Sequence, residues 1–274
     1  MKLLEYHLDD RLTAFSTTRH GGVSEGAYAT FNANAYCGDD EAHVAANRRL
    51  LAEHLGIAIP QLVFTHQVHN TVVRKVDEAF MQLSPDERQA QTEGTDALMT
   101  DLPGVCLCIS TADCVPVVIY DPVHRAVSCV HAGWRGTVKR ICQAALEEMA
   151  LAYSTRACDC KAVIGPSISL QCFEVGNEVY DEFRAAGFDM NAIAHRYASS
   201  LWKPQVPDVP VTHGDDKWHI DLWECNRLQL LDSGLTADAI LVSGICTYTH
   251  SDDFFSARGL GMNSGRILTG AMIK

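Results

Sequence analysis

Three apolar runs stand at the centre of this sequence: Val105–Ser110 (VCLCIS), Val115–Tyr120 (VPVVIY) and Ala126–His131 (AVSCVH). They are short and rich in β-branched residues, and turn signals such as Asp121-Pro122 separate them. Runs of this kind predict buried strands. We therefore expect the core of the fold to be built around these three strands.

The chain on both sides of these runs predicts a mixture of helices and further strands. A helix is expected from Thr137 to about Ala152, because its apolar residues recur on one face. Strands and helices do not alternate strictly, which favours an α+β fold with mixed β-sheets layered with helices over a doubly wound parallel sheet. We find no linker or repeat and predict a single domain over residues 1–274. The other main predicted elements are strands at Leu12–Thr17, Lys161–Ile164 and Ile267–Ile273 and helices at Ala42–Leu55 and Leu222–Ser233.

Two segments lack a clear period. The polar and acidic stretch from Asp77 to Gly94 is predicted to be an exposed excursion. The proline-rich stretch from His195 to His213 is predicted to be a loop carried on the same domain.

The composition narrows the class of protein. The 274 residues are 47% hydrophobic and 20% charged, which is typical of a globular chain with a full-sized core. A net charge of −12 argues against nucleic acid and anionic membrane as partners, so a small anionic substrate would need a local cationic pocket. The eleven cysteines, with no predicted signal peptide or membrane span, predict reduced thiols and a cytoplasmic protein.

The candidate chemistry lies at three predicted strand ends, which offer His69, Cys114 and His131. Side chains at strand ends leave the sheet and can converge over a pocket. One thiolate and two imidazoles suit Zn²⁺, and three protein ligands leave a fourth position open for water or substrate, as in catalytic sites. The same residues also allow a Cys114–His131 nucleophile pair of a cysteine-type amidase or hydrolase, or simply a small core cysteine and two structural histidines. His66, three residues before His69, is predicted to be structural, because the two would point to opposite faces of an extended segment.

The segment after the last of the three strands predicts an anion site. The chain turns through Gly133 and Gly136 into a helix, so free backbone N–H groups could face an anion beside Arg135. Phosphate is the natural guest. Arg19 and Arg48 are two further candidate phosphate or substrate contacts.

With these residues in view, the sequence resembles the YfiH-like laccase-domain family, whose members are described as polyphenol oxidases and as purine nucleoside phosphorylases. The resemblance spans nearly the whole chain and implies a YfiH-like fold of the cysteine-hydrolase type. It implies that His69, Cys114 and His131 bind zinc and are catalytic. The motifs that carry it, in order, include Thr17–Ser24, Asn47-Arg48, Gln67-Val68-His69, Thr95–Leu98, Thr111–Cys114, His131–Gly136, Gly165–Ile168 and Phe254–Ser256.

The same resemblance implies an activity: phosphorolysis of adenosine, inosine, guanosine and S-methyl-5'-thioadenosine with phosphate, and adenosine deamination as a second reaction. The laccase label implies copper, but the twelve histidines include no His-x-His pair of the kind that gathers copper centres, so polyphenol oxidation with Cu²⁺ ranks as a side activity. A zinc-stabilised interaction module is the non-enzymatic alternative. Two positions depart from the family pattern: Asn70 replaces the usual Gly, and Ala257 replaces a common aromatic residue.

Overall fold

The three apolar runs fold into buried strands of the two large sheets, each within about one residue of its predicted bounds. The computed structural model describes residues 1–197 and 217–274. Within these residues the strands, in chain order, are β1 (Leu3–Tyr6), β2 (Leu12–Thr17), β3 (Leu62–Val63), β4 (Val73–Lys75), β5 (Ala97–Thr100), β6 (Cys106–Thr111), β7 (Val115–Asp121), β8 (Ala126–Ala132), β9 (Lys161–Ile164), β10 (Glu174–Val175), β11 (Ala194–Tyr197), β12 (Lys217–Ile220), β13 (Ile240–Val242) and β14 (Ile267–Ile273).

Helices of very different length connect these strands. In chain order they are α1 (Glu41–Leu55), α2 (Glu78–Met81), α3 (Pro85–Thr92), α4 (Trp134–Val138), α5 (Ile141–Tyr153), α6 (Asn177–Ala185), α7 (Met190–Ile193), α8 (Leu222–Asp232) and α9 (Ala257–Leu260). None of the helices in the described residues is both long and apolar enough to cross a membrane. All eleven cysteines fall within these residues and carry free thiols.

The strands of the described residues form two large sheets and one small one. The first large sheet has the order β1-β2-β14-β6-β3, the second has the order β13-β9-β7-β8-β5-β4, and the small sheet is β10-β12-β11. Most neighbours are antiparallel, whereas β3–β6, β4–β5 and β9–β13 are parallel. The fold is therefore α+β with mixed sheets, as the sequence predicts.

Both faces of β7 are buried, which explains its unbroken apolar run. Val118 and Tyr120 point toward the other large sheet and pack with Leu107 of β6. Val117 and Ile119 point the other way and pack against helices that include α5 and α8. Helix α1 covers the outer face of the first sheet, so the layers run helix, sheet, sheet, helix.

The predicted helix over Thr137–Ala152 is wrong in one respect, because it is broken into α4 and α5. Arg140 adopts a left-handed conformation (φ 64°) between them. The Gln229 side chain of α8 bridges the break: its Nε2 donates to Thr137 O (3.1 Å) and its Oε1 accepts from Cys142 N (3.3 Å). A buried amide thus replaces helical hydrogen bonds that the break removes.

The two segments that lack a clear hydrophobic period also differ from the predicted excursion and loop. The predicted excursion from Asp77 to Gly94 contains α2 and α3, and it buries Phe80 in the core between the two large sheets. Side-chain caps stabilise both short helices, since Asp77 accepts from Phe80 N and Ser84 from Glu87 N. The predicted loop from His195 to His213 begins instead inside β11, and its remainder from 198 onward lies outside the described residues.

The bridge across the helix break predicts a stability effect. Gln229→Leu should lower the free energy of unfolding by about 2 kcal/mol, because the buried Cys142 N–H loses its acceptor. Urea denaturation measures this change. Gln91→Leu, a matched change at an exposed position of α3, should cost less than about 0.5 kcal/mol. Equal effects of the two substitutions would contradict the bridging role.

Candidate metal centre and its cavity

Strand register brings the three predicted side chains to one end of the second sheet. In the antiparallel β7–β8 pair, Val115 is opposite Ala132 and Pro116 is opposite His131, so Cys114 and His131 lie diagonally across the same end of the pair. On the other flank β5 pairs with β8 and with β4, and the loop that carries His69 enters β4. Residues distant in sequence therefore meet because β4, β5, β7 and β8 each have one end at this edge of the sheet.

The three side chains form one compact cluster. One ligand atom from each of His69, Cys114 and His131 lies within 4.8 Å of the other two. Cys114 Sγ is 3.6 Å from His69 Nε2, and the two imidazole rings meet edge to face with centroids 4.8 Å apart. His131 is 3% exposed, whereas the other two side chains are partly accessible. No other group of three such ligands occurs in residues 1–197 and 217–274.

Cys114 and His131 ionise as a charge pair, a thiolate beside a protonated imidazole. Burial raises the pKa of the Cys114 thiol, but the His131 charge and hydrogen bonds from both histidines outweigh it and lower that pKa to about 6. Burial likewise acts to lower the pKa of His131, but the Cys114 thiolate and Asp96 outweigh it and raise the pKa to about 9. The sulfur is therefore a thiolate at neutral pH, the form that binds metals.

Gly133 is required by this packing. A Cβ at position 133 would lie 2.5 Å from His69 Cδ2 and 3.2 Å from Cys114 Sγ. Only a residue without a side chain allows the chain after β8 to pass this close to the cluster. The glycine predicted to shape an anion site thus makes room for the histidine and the cysteine.

The donor set fits a four-coordinate metal ion. Bonds of about 2.3 Å to sulfur and about 2.0–2.1 Å to nitrogen, at tetrahedral angles, separate the two donor atoms by roughly 3.6 Å. The Cys114 Sγ to His69 Nε2 distance of 3.6 Å matches this separation. Two imidazoles and one thiolate could hold zinc with one coordination position left for a ligand.

The cluster opens into a cavity of about 600 Å³. The lining carries three arginines, of which Arg135 was predicted and Arg258 and Arg266 were not. Arg135 is exposed and stacks over Trp134 at 4.2 Å. Arg258 donates to Glu174 O, and Arg266 donates to backbone carbonyls that include Met262 O. Ala257, the position that departs from the family pattern, also lines the cavity.

Two predicted arginines take a different place. The guanidinium of Arg19 donates to Ala29 O and Ser251 O and lies over the Phe255 ring. Arg48 donates to Ala33 O and lies over the Phe64 ring. Neither residue is part of the cavity lining, so the described contacts give both arginines a role in holding loops.

The predicted helix start is also weaker as an anion site than the sequence indicates. Helix α4 begins at Trp134 and has only five residues, so few aligned peptide dipoles add up at its N-terminus. Arg135 and the other cavity arginines supply the positive charge instead.

The cavity also contains an aromatic surface that no pattern in the sequence indicates. The segment that carries His66 and His69 is not extended, because His69 adopts φ 63°, and both histidines line the cavity. His66 stacks on Tyr36 with ring centroids 4.1 Å apart, and its Nδ1 meets Glu93 Oε1 at 2.6 Å. Tyr36 remains 43% exposed. No local pattern in the sequence marks Tyr36, which reaches the cavity from the loop before α1.

The charge pair predicts the pH dependence of Cys114 alkylation. In metal-free protein, the rate of reaction with iodoacetamide should rise as the pH increases through about 6 and then level off, because the thiolate is already formed. Peptide mapping by mass spectrometry follows Cys114 alone, and glutathione in the same tube supplies an ordinary thiol. Zinc should protect Cys114. A rate that rises only near pH 8.5, like that of an ordinary thiol, would contradict the thiolate assignment.

Comparison with known proteins finds relatives that match nearly the whole chain. The family model described as multi-copper polyphenol oxidoreductase laccase matches residues 13–274. A protein of Bacteroides thetaiotaomicron named purine nucleoside phosphorylase is 46% identical over 96% of this chain and 92% of its own length. A protein from an unknown prokaryotic organism named adenosine deaminase RL5 is 42% identical over 94% of this chain and 92% of its own length.

Solved structures show the same fold. The crystal structure of YfiH from Bacillus licheniformis superposes with a TM-score of 0.84 at 30% identity and covers 97% of this chain and 94% of that one. The structure of YlmD from Geobacillus stearothermophilus gives a TM-score of 0.82 at 31% identity, covering 98% and 94% of the two chains. The chain therefore belongs to the multi-copper polyphenol oxidoreductase laccase family, the family of YfiH and YlmD.

Proposed function

We propose that this chain is a single-domain purine nucleoside phosphorylase over residues 1–274 that depends on zinc held by His69, Cys114 and His131. The substrates are adenosine, inosine, guanosine and S-methyl-5'-thioadenosine, each with phosphate. One observation carries the proposal: the cluster of three ligands opens into a cavity that also holds exposed positive charge at Arg135. Relatives named purine nucleoside phosphorylase support the choice of reaction.

The cavity offers a surface suited to a purine. The partly exposed Tyr36 ring, stacked on His66, presents a flat aromatic face on which a heterocyclic base can stack. A cavity of about 600 Å³ falls within the range of small-molecule sites. In this arrangement the aromatic pair binds the base, and the ribose lies between the base and the ligand cluster.

Phosphate needs positive charge beside the ribose. In phosphorolysis a phosphate oxygen forms a bond to C1′ while the C1′–N9 bond breaks and its electron pair leaves with the purine, which then takes a proton. The guanidinium groups of Arg135 and Arg258 hold the phosphate in this proposal, because both line the cavity. Arg19 and Arg48 keep their hydrogen bonds to backbone carbonyls and do not hold the phosphate in this proposal.

The three ligands determine which metal chemistry the site can use. Zinc, when bound, supplies Lewis acidity at the point where the three side chains meet. His69 and His131 bind through neutral nitrogen and Cys114 through its thiolate. A single cluster within the described residues does not provide the several close centres of multi-copper oxidation, so zinc is favoured over Cu²⁺ and polyphenol oxidation remains a side activity.

Adenosine deamination is the second activity we propose. The relative named adenosine deaminase RL5 supports it. In that reaction water adds to C6 of the base and ammonia leaves, so no phosphate is consumed. The same cavity would then have to admit the base with C6 toward the ligand cluster. Because all eleven cysteines are free thiols, we also place the protein in the reducing cytoplasm. The net charge of −12 argues against nucleic acid and anionic membrane as partners.

Product analysis tests the reaction directly. Zinc-loaded protein should convert inosine and phosphate to hypoxanthine and ribose 1-phosphate. With adenosine, adenine formation should require phosphate, whereas inosine and ammonia should form without it. Absence of all of these products from protein with confirmed zinc would refute the proposal.

Cys114→Ala should reduce phosphorolysis by at least about 100-fold, since loss of the metal removes several kcal/mol of stabilisation. Zinc content measured on the same sample should fall as well. Cys158→Ala, at an exposed cysteine outside the cavity, is the matched control and should keep full activity. A Cys114-dependent activity that survives removal of zinc by a chelator would instead support the cysteine-type hydrolase. Chelation that only lowers the melting temperature, with no turnover, would support the interaction module.

Arg135→Gln should raise the KM for phosphate by about 10-fold and leave the KM for inosine unchanged, because a charge-assisted hydrogen bond contributes about 1.5–3 kcal/mol. Lys139→Gln is the matched control, since Lys139 is also exposed, ends the same short helix and is not part of the cavity lining. Steady-state kinetics with each substrate varied in turn measures both constants. If the two substitutions raise the KM for phosphate equally, the positive charge of this region, and not a direct contact with Arg135, is responsible.

A further inference from the structure

One buried carboxylate contacts both parts of the chain that supply histidines to the cluster. Asp96 is fully buried and stands directly before β5. Its Oδ1 accepts from His69 N (2.9 Å) and meets His131 Nδ1 (2.7 Å). Its Oδ2 accepts from Val68 N (3.2 Å) and Asn70 N (2.8 Å).

The three backbone bonds fix the loop that carries His69. Consecutive N–H groups of residues 68, 69 and 70 all point at one carboxylate, which requires the chain to curl around it. His69 adopts φ 63° at the centre of this curl, a conformation that non-glycine residues rarely adopt. Without the carboxylate, three N–H donors would lose their acceptor and the left-handed residue would lose its support.

The fourth bond sets the state of the second histidine. Because His131 Nδ1 faces the Asp96 carboxylate, that nitrogen keeps its proton, and Nε2 is the nitrogen that faces the cluster and gives up its own proton when a metal binds. A carboxylate in this place also fixes the direction of the ring. One side chain therefore sets the backbone of one ligand and the tautomer of the other.

We propose that Asp96 is the positioning residue of the metal centre, which holds His69 and His131 in ligating geometry before the metal binds. This inference rests on the zinc site of the proposed function. It goes beyond that site, since Asp96 is not itself a ligand: both of its oxygens are already engaged by donors of the chain.

Asparagine at this position cannot make all four bonds. Its amide offers one oxygen and one NH₂ group, so the NH₂ group must face N–H donors on one side. If the oxygen stays with His131, the N–H groups of Val68 and Asn70 lose their acceptor. If the NH₂ group faces His131 instead, the ring moves its proton to Nε2 and can no longer bind a metal there.

The chain offers a matched control in Asp121. This carboxylate is also fully buried, meets His124 Nδ1 at 2.8 Å and accepts from Val123 N (2.8 Å) and His124 N (3.1 Å). It lies at the far end of β7, and His124 is not part of the cluster. Asp121→Asn thus removes the same kind of carboxylate–histidine contact away from the metal centre.

The test is the zinc affinity of purified full-length protein, measured by competition with a colorimetric chelator and without nucleoside. Asp96→Asn should weaken zinc binding by about 10- to 100-fold, whereas Asp121→Asn should leave it unchanged. The visible spectrum of the Co²⁺-loaded protein should also change in Asp96→Asn only, because the ligands leave their geometry. Circular dichroism checks that each variant is folded. If Asp96→Asn is not, Asp96→Glu keeps the charge, shifts it by one methylene and should also weaken zinc binding.

Wild-type affinity in Asp96→Asn, or an equal loss in Asp121→Asn, would overturn the proposal. A wild-type protein that binds no zinc would overturn it together with the zinc site. Zinc binding that depends on Asp96 in a protein that turns over no inosine would refute the phosphorylase and leave the positioning role intact.

Discussion

The antiparallel register of β7 and β8 is the constraint on which the candidate site depends. It pairs Val115 with Ala132, and it is held in place because a slip by one residue would exchange the two buried faces of β7. Cys114 lies just outside this pairing, and His131 lies one residue inside the same end, opposite Pro116. The packing of two apolar cores therefore fixes the distance between two reactive side chains that contribute little to either core.

The charges of the site are local and opposite to that of the whole chain. A protein of net charge −12 has no general attraction for anions. Near the cluster, however, Arg135 and Arg258 line the cavity, while the buried Asp96 faces the histidines from behind. Burial acts to raise the pKa of Asp96, but its bonds to His131 and to the backbone outweigh this and lower it, so it remains a carboxylate. The cavity lining thus combines the Cys114 thiolate, which can bind a cation, with guanidinium groups that can bind a phosphate.

The sequence predicted the centre of this arrangement better than its periphery. The runs that became β6, β7 and β8 were recognisable because strands buried on both faces are apolar at nearly every position. The strand ends indicate His69, Cys114 and His131 as a candidate cluster, and the family resemblance implies that the three bind a metal. What escaped depends on contacts between distant segments. His66 lines the cavity together with His69, which adopts φ 63°, and Arg258 reaches the lining from the far end of the chain. Arginines 19 and 48 were expected near phosphate, but backbone carbonyls and aromatic rings hold their guanidinium groups elsewhere. A lone arginine in a sequence does not reveal which of these partners it will meet.

X-ray absorption at the zinc edge of the zinc-loaded protein identifies the metal ligands, because it reports which atoms surround the metal. If His69, Cys114 and His131 hold the metal, the spectrum should show one sulfur at about 2.3 Å, two imidazole nitrogens at about 2.0–2.1 Å and one further light atom. The sulfur contribution should vanish in Cys114→Ala. A shell without sulfur in the wild-type protein, or one with fewer than two imidazoles, would contradict the assignment of His69, Cys114 and His131 as the metal centre.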